Sequence, residues 1–214
     1  MRQFPLGFRE VEELMLERGV LVSHGTVRRW CARFGQICAS GLRRRWPRPG
    51  DNWHPDEVFV EIDGELKYLW RAVDADDAVL DLLVQNRRDK AAARRFLRRL
   101  LRTTLTVPRV IVTDKPRSCR AAHREVMSSV ERRSYKGLNN RAENSHRPTR
   151  QRERAMKGFR SAGETQRFLA AFNGTSPHFR PRRHLMTAPG HHAETTIRFV
   201  IRNQITASGR PAKA

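Results

Sequence analysis

The chain has few acidic residues, few cysteines and no long apolar run, and each shortage excludes a class of protein. It carries 22 Asp and Glu against 43 Lys and Arg, a formal net charge of +21 at pH 7. Its three cysteines include no C-x-x-C pair, and the histidines supply no zinc-type spacing, so we expect reduced thiols and no zinc site. No stretch approaches 18 uncharged apolar residues, and the N-terminus starts no signal-peptide pattern. We therefore expect a soluble, cytoplasmic protein without a membrane segment.

The excess of positive charge indicates a polyanionic partner. A chain with this charge repels itself, and the charge is usually tolerated because a polyanion binds, so nucleic acid is favoured over a membrane surface or an acidic protein. The 214 residues are enough for one good core and a small accessory domain.

Two helices are predicted near the N-terminus. Residues 8–17 have apolar side chains at helical spacing, Gly19 follows as a helix stop, and Ser23 is placed to cap a second helix. The inner stripe of the second helix is expected to be Val27, Trp30, Cys31 and Phe34, and its outer positions His24, Arg28, Arg29 and Arg33. The pattern fits a DNA-binding helix-turn-helix and a plain helical hairpin equally well, and the overall charge favours DNA.

A change in composition separates this region from the rest. Residues 41–52 are rich in arginine, proline and glycine and predict a basic linker. The predicted domains are residues 1–40 (helix-turn-helix region), 41–52 (linker), 53–173 (catalytic domain) and 174–214 (a basic, partly disordered tail).

The central region alternates strands and helices. Residues 58–62, 66–73 and 79–84 predict an antiparallel meander, with Asp63-Gly64 as its first turn. Asp89 should cap a helix over residues 93–101, whose second face carries arginines that are either solvated or in contact with DNA. The run V-I-V-T-D at 110–114 predicts a buried strand, parallel to an earlier one because a helix connects them.

Further elements follow the strand at 110–114. We predict a short helix at 121–127, an edge strand at 130–136, a helix capped by Asn139 or Asn140 and kinked at Pro148, and a packed helix that contains Phe168, Leu169 and Phe172. This order predicts an α/β, RNase H-like fold, a mixed five-stranded sheet with flanking helices, preceded by the helical region.

Three acids are the candidate catalytic residues. Asp56 and Asp114 are 58 positions apart and would end up on neighbouring strands, and Glu143 lies in a later helix that could reach them. Three carboxylates suit Mg²⁺, and two such ions would activate a water or a 3′ hydroxyl for attack on phosphorus.

Each acid also has a structural interpretation. Asp56 could cap or pair at a strand start, with the metal ligand being Glu57, Glu61 or Asp63. Asp114 could simply end its strand. Glu143 could be a first-turn carboxylate or an i,i+4 partner of Arg147.

Three sequence blocks resemble a known family. W-H-P-D-E-V-F-V-E-I-D-G-E-L-K-Y-L-W-R-A-V-D at 53–74, V-I-V-T-D-K at 110–115 and G-L-N-N-R-A-E-N-S-H-R-P-T-R-Q-R-E-R-A-M-K-G-F at 137–159 closely resemble transposases of the bacterial insertion-sequence-six family. The resemblance runs from near Phe8 to about His184.

The resemblance implies a DDE transposase. Its triad would be Asp56, Asp114 and Glu143, holding two Mg²⁺ ions for which Mn²⁺ can substitute, and Arg150 would be the basic residue seven positions after the glutamate. An N-terminal helix-turn-helix, here shortened, would recognise the terminal inverted repeats, and an oligomer on paired ends would join donor and target DNA into a cointegrate. The residues expected to bind DNA are Arg28, Arg29, Arg33, Arg147 and Arg150. No small-molecule cofactor is expected, and the protein would associate with the nucleoid.

Two other functions stay open at this point. The chain could be a catalytically inactive or truncated remnant that binds element ends and represses transposition. It could also be another RNase H-like nuclease, which would cut DNA without joining strands.

Overall fold

The computed structural model describes residues 6–45, 48–113, 117–134, 146–155, 158–179 and 186–208. Contacts between residues divide the chain into a sheet unit, residues 47–169, and a helical unit, residues 1–46 and 170–214. The described elements are the helices α1 Phe8–Leu16, α2 His24–Arg43, α3 Lys90–Thr104, α4 Arg117–Val126, α5 Arg147–Ala155, α6 Ala162–Phe179 and α7 Ala188–Ser208, and the strands β1 Asn52–Ile62, β2 Glu65–Asp74, β3 Val79–Gln85, β4 Val110–Val112 and β5 Glu131–Arg133. Within these residues, no helix has both the length and the apolar character needed to cross a membrane.

The five strands form one mixed sheet in the order β3-β2-β1-β4-β5. The first three strands pair antiparallel, which confirms the predicted meander, and β4 pairs parallel with both β1 and β5. A meander followed by parallel strands reached through helices is the arrangement of an RNase H-like domain, and the predicted fold class of the catalytic region is confirmed.

Local sequence signals account for the ends of these elements. Asp63 and Gly64 have φ angles of 54° and 75°, which are the left-handed conformations that a two-residue hairpin turn requires. Asp89 caps α3 as predicted, because its side chain accepts a hydrogen bond from the backbone N–H of Ala92. β1 begins at Asn52, inside the predicted linker. This strand therefore starts earlier in the chain than the alternating pattern indicated.

A separate hydrophobic core lies on each face of the sheet. The first core joins Trp53, Trp70 and Ile111 to the apolar faces of α3 and α4, and Phe96 of α3 is fully buried in it. The second core contains Val60 and Ile62 of β1. Because successive side chains of a strand point to opposite faces, the two cores divide the residues of β1 between them. This division decides which acids of β1 can act together.

The arginine face of α3 is partly used inside the protein. Arg99 donates to the buried carboxylate of Asp81 through its Nε at 2.8 Å, and Arg95 donates to the Gln85 side chain at 3.0 Å. Arg98 and Arg102 remain exposed. Some of these arginines therefore fasten α3 to β3, which neither of the two predicted roles included.

The helical unit contains the predicted N-terminal helices. Ser23 caps α2 as expected, because its Oγ accepts from the N–H of Thr26 at 3.2 Å. The predicted inner stripe is wrong for three of its four members: Val27 is buried, whereas Trp30, Cys31 and Phe34 are exposed. The nine-residue α1 is too short to cover a helix of 20 residues, and the other buried side chains of α2 lie near its C-terminal end, at Ala39 and Leu42.

The C-terminal region contains more helix than the sequence indicated. The predicted tail begins at residue 174, but α6 continues to Phe179 and α7 is a 21-residue helix. Helix α6 itself was predicted from Phe168, Leu169 and Phe172, and Leu169 is fully buried as expected. In the helical unit, α6 and α2 approach closely, because a Cβ added at Gly174 would lie 2.8 Å from the Cβ of Ala39.

Candidate active site

Asp56 occupies the centre of the sheet. It lies on β1, between β2 and β4, and is only 9% exposed. Strand alternation places it on the same face as Val60 and Ile62, which belong to the second core. Its direct partner in the antiparallel register is Arg71 of β2. A carboxylate at this position is held by a buried strand and has a fixed direction.

Glu57, the neighbouring acid, belongs to the opposite face. Its side chain is 4% exposed and accepts a hydrogen bond from Arg88 Nε at 2.6 Å. The Sγ of Cys119 lies 4.0 Å from its other oxygen, and burial, followed by the charge of Glu57, raises the pKa of this thiol to about 12. The alternative ligands Glu61 and Asp63 are exposed at the end of β1 and in the hairpin turn. Asp56 and Glu57 therefore lie on opposite faces of the sheet although they are adjacent in the sequence.

His146 is an ionisable neighbour of Asp56. It precedes α5, is 1% exposed, and places its Nε2 3.5 Å from Asp56 Oδ2, a long contact for a hydrogen bond. Burial lowers the pKa of His146, the contact with Asp56 opposes this shift, and the charge of Arg71 adds to it. The lowered pKa favours the neutral form of the imidazole. The sequence analysis did not single out this residue, although it stands in the same block as Glu143.

Arg71 brings a positive charge into the same interior. It is 5% exposed, and its Nη1 donates to the buried hydroxyl of Thr149, on α5, at 3.2 Å. Burial lowers the pKa of Arg71 to about 10, and nearby Asp77 opposes the shift. Its Nε has no hydrogen-bond partner among the described residues. The Arg71–Thr149 hydrogen bond joins α5 to the strand next to Asp56.

The other predicted site residues have different outcomes. Asp114 and Glu143 lie outside the described residues, as does the predicted cap at Asn139 or Asn140. Arg147 and Arg150 are exposed on α5. The predicted kink at Pro148 concerns a helix whose predicted first part lies outside the described residues, so it stays a prediction. In the described α5, Pro148 is the second residue, where a missing N–H breaks no helical hydrogen bond.

The described residues contain only part of a possible metal centre. No group of three or more His, Cys, Asp or Glu side chains that could hold a metal ion occurs among them. Asp56 supplies one buried carboxylate, the hard oxygen donor that Mg²⁺ and Mn²⁺ prefer. The donor chemistry of Asp56 fits such an ion, and the two further predicted donors, Asp114 and Glu143, are of the same chemical type.

The DNA-binding candidates of α2 are accessible. Arg28, Arg29 and Arg33 are all exposed. Arg29 donates to the hydroxyl of Thr26 at 3.2 Å, within the first turns of the helix. His24, at the start of α2, lies 2.9 Å from Glu12 of α1, so this contact joins the two helices.

Comparisons with known proteins identify similar chains. The family model DDE_Tnp_IS240, described as a DDE domain, matches residues 50–181, more than half of the chain. The transposase for insertion sequence-like element IS431mec of Staphylococcus aureus is 29% identical over 168 residues, which cover 76% of this chain and 75% of the relative. The transposase for insertion sequence element IS257 in transposon Tn4003, also from Staphylococcus aureus, matches with the same identity and coverage.

Solved structures also resemble the chain. The HTLV-2 integrase catalytic core domain in complex with magnesium, in its dimeric form, aligns with a TM-score of 0.46 and 13% identity. The alignment covers 64% of this chain and 91% of that one.

Proposed function

The chain belongs to the insertion-sequence-six family of DDE transposases, and on that premise we propose that Asp56, Asp114 and Glu143 form its catalytic triad. A DDE transposase uses divalent metal ions to cleave DNA and to transfer the cut strand. The observation that carries the proposed triad is the burial of Asp56 on the central strand, on the face that His146 and Arg71 share.

The strand register supports the pairing of the two aspartates. β1 and β4 pair in parallel with Asn52 opposite Val110 and Trp53 opposite Ile111. Residues that face each other are thus 58 positions apart, which is also the separation of Asp56 and Asp114. If the same register continues past β4, the two carboxylates stand side by side on one face of the sheet.

The position of His146 supports the third acid. His146 Nε2 is 3.5 Å from Asp56 Oδ2, and Glu143 precedes His146 by three residues. Three residues of extended chain span at most about 10 Å, a separation that is compatible with a Glu143 carboxylate reaching Asp56.

We propose that the triad holds two Mg²⁺ ions, with Mn²⁺ able to substitute. When bound, the ions activate a water or a 3′ hydroxyl and stabilise the leaving oxygen of an in-line displacement at phosphorus. The chain supplies the rigid placement of the carboxylates, because β1 lies between two strands and cannot shift without breaking both ladders.

DNA is the substrate, and we propose that two regions of the protein bind it. Arg147 and Arg150 are exposed on α5, the helix that starts directly after His146, and are placed to hold backbone phosphates near the triad. In the helical unit, α1 and α2 form a helix-turn-helix whose Arg28, Arg29 and Arg33 read the terminal inverted repeats. The active form is an oligomer on paired ends, which joins donor and target DNA into a cointegrate.

The test of the triad is a strand-transfer assay with Mg²⁺ or Mn²⁺ and DNA that flanks the gene. Asp114→Asn should abolish cleavage and joining but leave DNA binding intact, since it removes a ligand charge with little change of shape. Glu61→Gln is the matched control, because Glu61 is an exposed acid on β1 and should be dispensable.

The outcomes of this assay separate the alternatives. Full activity of Asp114→Asn, or loss of activity in Glu61→Gln, would contradict the triad. Binding without product in the wild-type protein would indicate a repressor-like remnant, and cleavage without joining would indicate another RNase H-like nuclease.

The helix-turn-helix is tested by comparing two DNA sequences. Replacing Arg28 and Arg29 with Ala should weaken binding to terminal-repeat DNA more than binding to a scrambled duplex, because base-edge contacts carry sequence information and phosphate contacts do not. Unchanged affinity for the repeat at moderate salt would refute the assignment.

A further inference from the structure

A cavity of about 350 Å³ between α4 and β5 is lined by nitrogen and hydroxyl donors. Its lining residues are Arg120, His123 and Arg124 of α4, Ser128 of the following turn and Arg132 of β5. Positions 120, 123 and 124 lie at the i, i+3 and i+4 spacing that places side chains on one face of a helix. No Phe, Tyr, Trp or acidic residue is among these lining residues.

His123 lies between this cavity and the core. The residue is 6% exposed, and its Nε2 is buried without a hydrogen-bond partner among the described residues. Its ring also lines the apolar interior beside Trp70 and Phe96. The ring is therefore a local reporter of changes in the cavity.

The cations around the cavity repel each other. Burial lowers the pKa of Arg132, the nearby Cys119 opposes this shift, and the charges of Arg120 and Arg124 add to it. The acids next to these residues in sequence are engaged elsewhere, since Glu125 pairs with Lys90 and Arg94, and Glu131 pairs with Arg133. An anion in the cavity would relieve the repulsion among these cations.

Arg132 also connects the cavity to the proposed active site. Its Nε donates to the hydroxyl of Thr113 at 3.0 Å, and Thr113 directly precedes Asp114 in the sequence. The backbone N–H of Thr113 donates to the carbonyl of Arg133 at 3.0 Å, which fixes this end of β4 against β5. An anion bound by Arg132 is therefore held next to the strand that carries the second proposed acid.

We propose that this cavity binds a phosphate of the DNA backbone, separate from the phosphate that reacts. The donor set suits a phosphodiester, because guanidinium groups match the two non-bridging oxygens and a serine hydroxyl adds a further donor. The lining has no Phe, Tyr or Trp side chain on which a base could stack, and its three guanidinium groups favour phosphate oxygens, so we assign the cavity to the DNA backbone. That the polyanion is DNA rests on the proposed function.

The test compares two double variants of equal charge. Arg120→Ala/Arg124→Ala removes two cations of the cavity, and Arg98→Ala/Arg102→Ala removes two exposed cations of α3 in the same unit. All four residues are exposed, so neither change removes core packing, and thermal unfolding checks that both variants fold. Duplex binding is measured across a salt series without divalent metal, so that a protein unable to cleave still gives a result.

Arg120→Ala/Arg124→Ala should bind duplex DNA about tenfold more weakly at moderate salt. Its slope of log K against log salt concentration should fall by about 1 to 2 in magnitude, whereas Arg98→Ala/Arg102→Ala should keep the wild-type slope. Equal losses in both variants would overturn the proposal, because they would show a general electrostatic effect. An unchanged affinity of Arg120→Ala/Arg124→Ala for duplex DNA would also overturn the proposal.

The His123 ring gives a second and local readout. In protein with isotope-labelled histidine, the His123 ring resonance should shift when duplex DNA is added to the wild-type protein and should not shift in Arg120→Ala/Arg124→Ala. A shift with inorganic phosphate and none with DNA would overturn the proposal, because the cavity would then be a site for a small anion.

Discussion

Replacing Arg71 with Met should leave the fold as stable or make it more stable, although the change removes a buried hydrogen bond. Arg71 is 5% exposed, and burial lowers its pKa from an ordinary value of 12.5 to about 10. A lowered pKa means that folding disfavours the charged form at every pH below about 10, so the cost is fully present at neutral pH. The shift corresponds to about 3 kcal/mol as an upper bound.

The free energy lost with the Arg71–Thr149 hydrogen bond is smaller than this cost. Arg71 Nη1 donates to Thr149 Oγ1 at 3.2 Å, and Thr149 is itself buried. Leaving its hydroxyl without a partner costs about 1 to 2 kcal/mol. Met fills a similar volume without a charge, so the net change lies between zero and about 2 kcal/mol in favour of folding. For a chain of this size, the Tm should stay unchanged or rise by up to about 6 °C.

A double-mutant cycle separates the two contributions. Thr149→Val alone should destabilise by about 1 to 2 kcal/mol, because it leaves the buried guanidinium without its hydrogen-bond acceptor. Arg71→Met/Thr149→Val should be at least as stable as Arg71→Met, since both partners are then apolar. Urea and thermal unfolding measure all four proteins. A fall in Tm of more than about 4 °C for Arg71→Met would refute the reasoning and show that a carboxylate compensates the charge of Arg71.

Two further predictions concern other parts of the chain. Gly174→Ala should lower the free energy of unfolding by about 1 to 3 kcal/mol in urea, because the new Cβ would lie 2.8 Å from that of Ala39. Adding Ala39→Gly should restore the stability. A neutral effect of Gly174→Ala would contradict the close approach of the two helices. Burial and the neighbouring Glu57 raise the pKa of Cys119 to about 12, so its thiol stays protonated at pH 8. After iodoacetamide treatment of the native protein, peptide mapping should find the exposed Cys31 modified. Cys119 should be modified only after unfolding. Equal rates for the two thiols in the native protein would count against the buried position of Cys119.

Local signals in the sequence predicted most of the sheet unit. Alternating apolar residues and the Asp63-Gly64 turn predicted the meander, and the Asp89 cap with its apolar stripe predicted α3. These features depend on periodicity and on turn and cap chemistry over a few neighbouring residues, which a single sequence contains. The spacing of Asp56, Asp114 and Glu143 made them candidates, and the three blocks that resemble the transposase family implied them as the triad.

The same local rules failed where a helix meets distant partners. The apolar pattern of α2 predicted Trp30 and Phe34 as inner residues, but both are exposed, and Ala39 and Leu42 are buried instead. Helix α7 was missed because its sequence, with a proline, a glycine and many polar residues, has no clear apolar stripe. Periodicity shows that a helix has two faces, and the lengths and positions of its neighbours decide which residues are covered.

By itself, the sequence determined the strand that carries Asp56, the positive charge that indicates DNA, and the family to which the chain belongs, because these depend on residue types and their order. Tertiary structure alone decided that Asp56 and Glu57 face different cores, that His146 and Arg71 share the interior of the site with Asp56, and that Arg120, Arg124 and Arg132 line one cavity. These groups come from segments far apart in the chain. Only the pairing of strands and the packing of helices on them brings such segments within a few ångströms, and no local pattern encodes that distance.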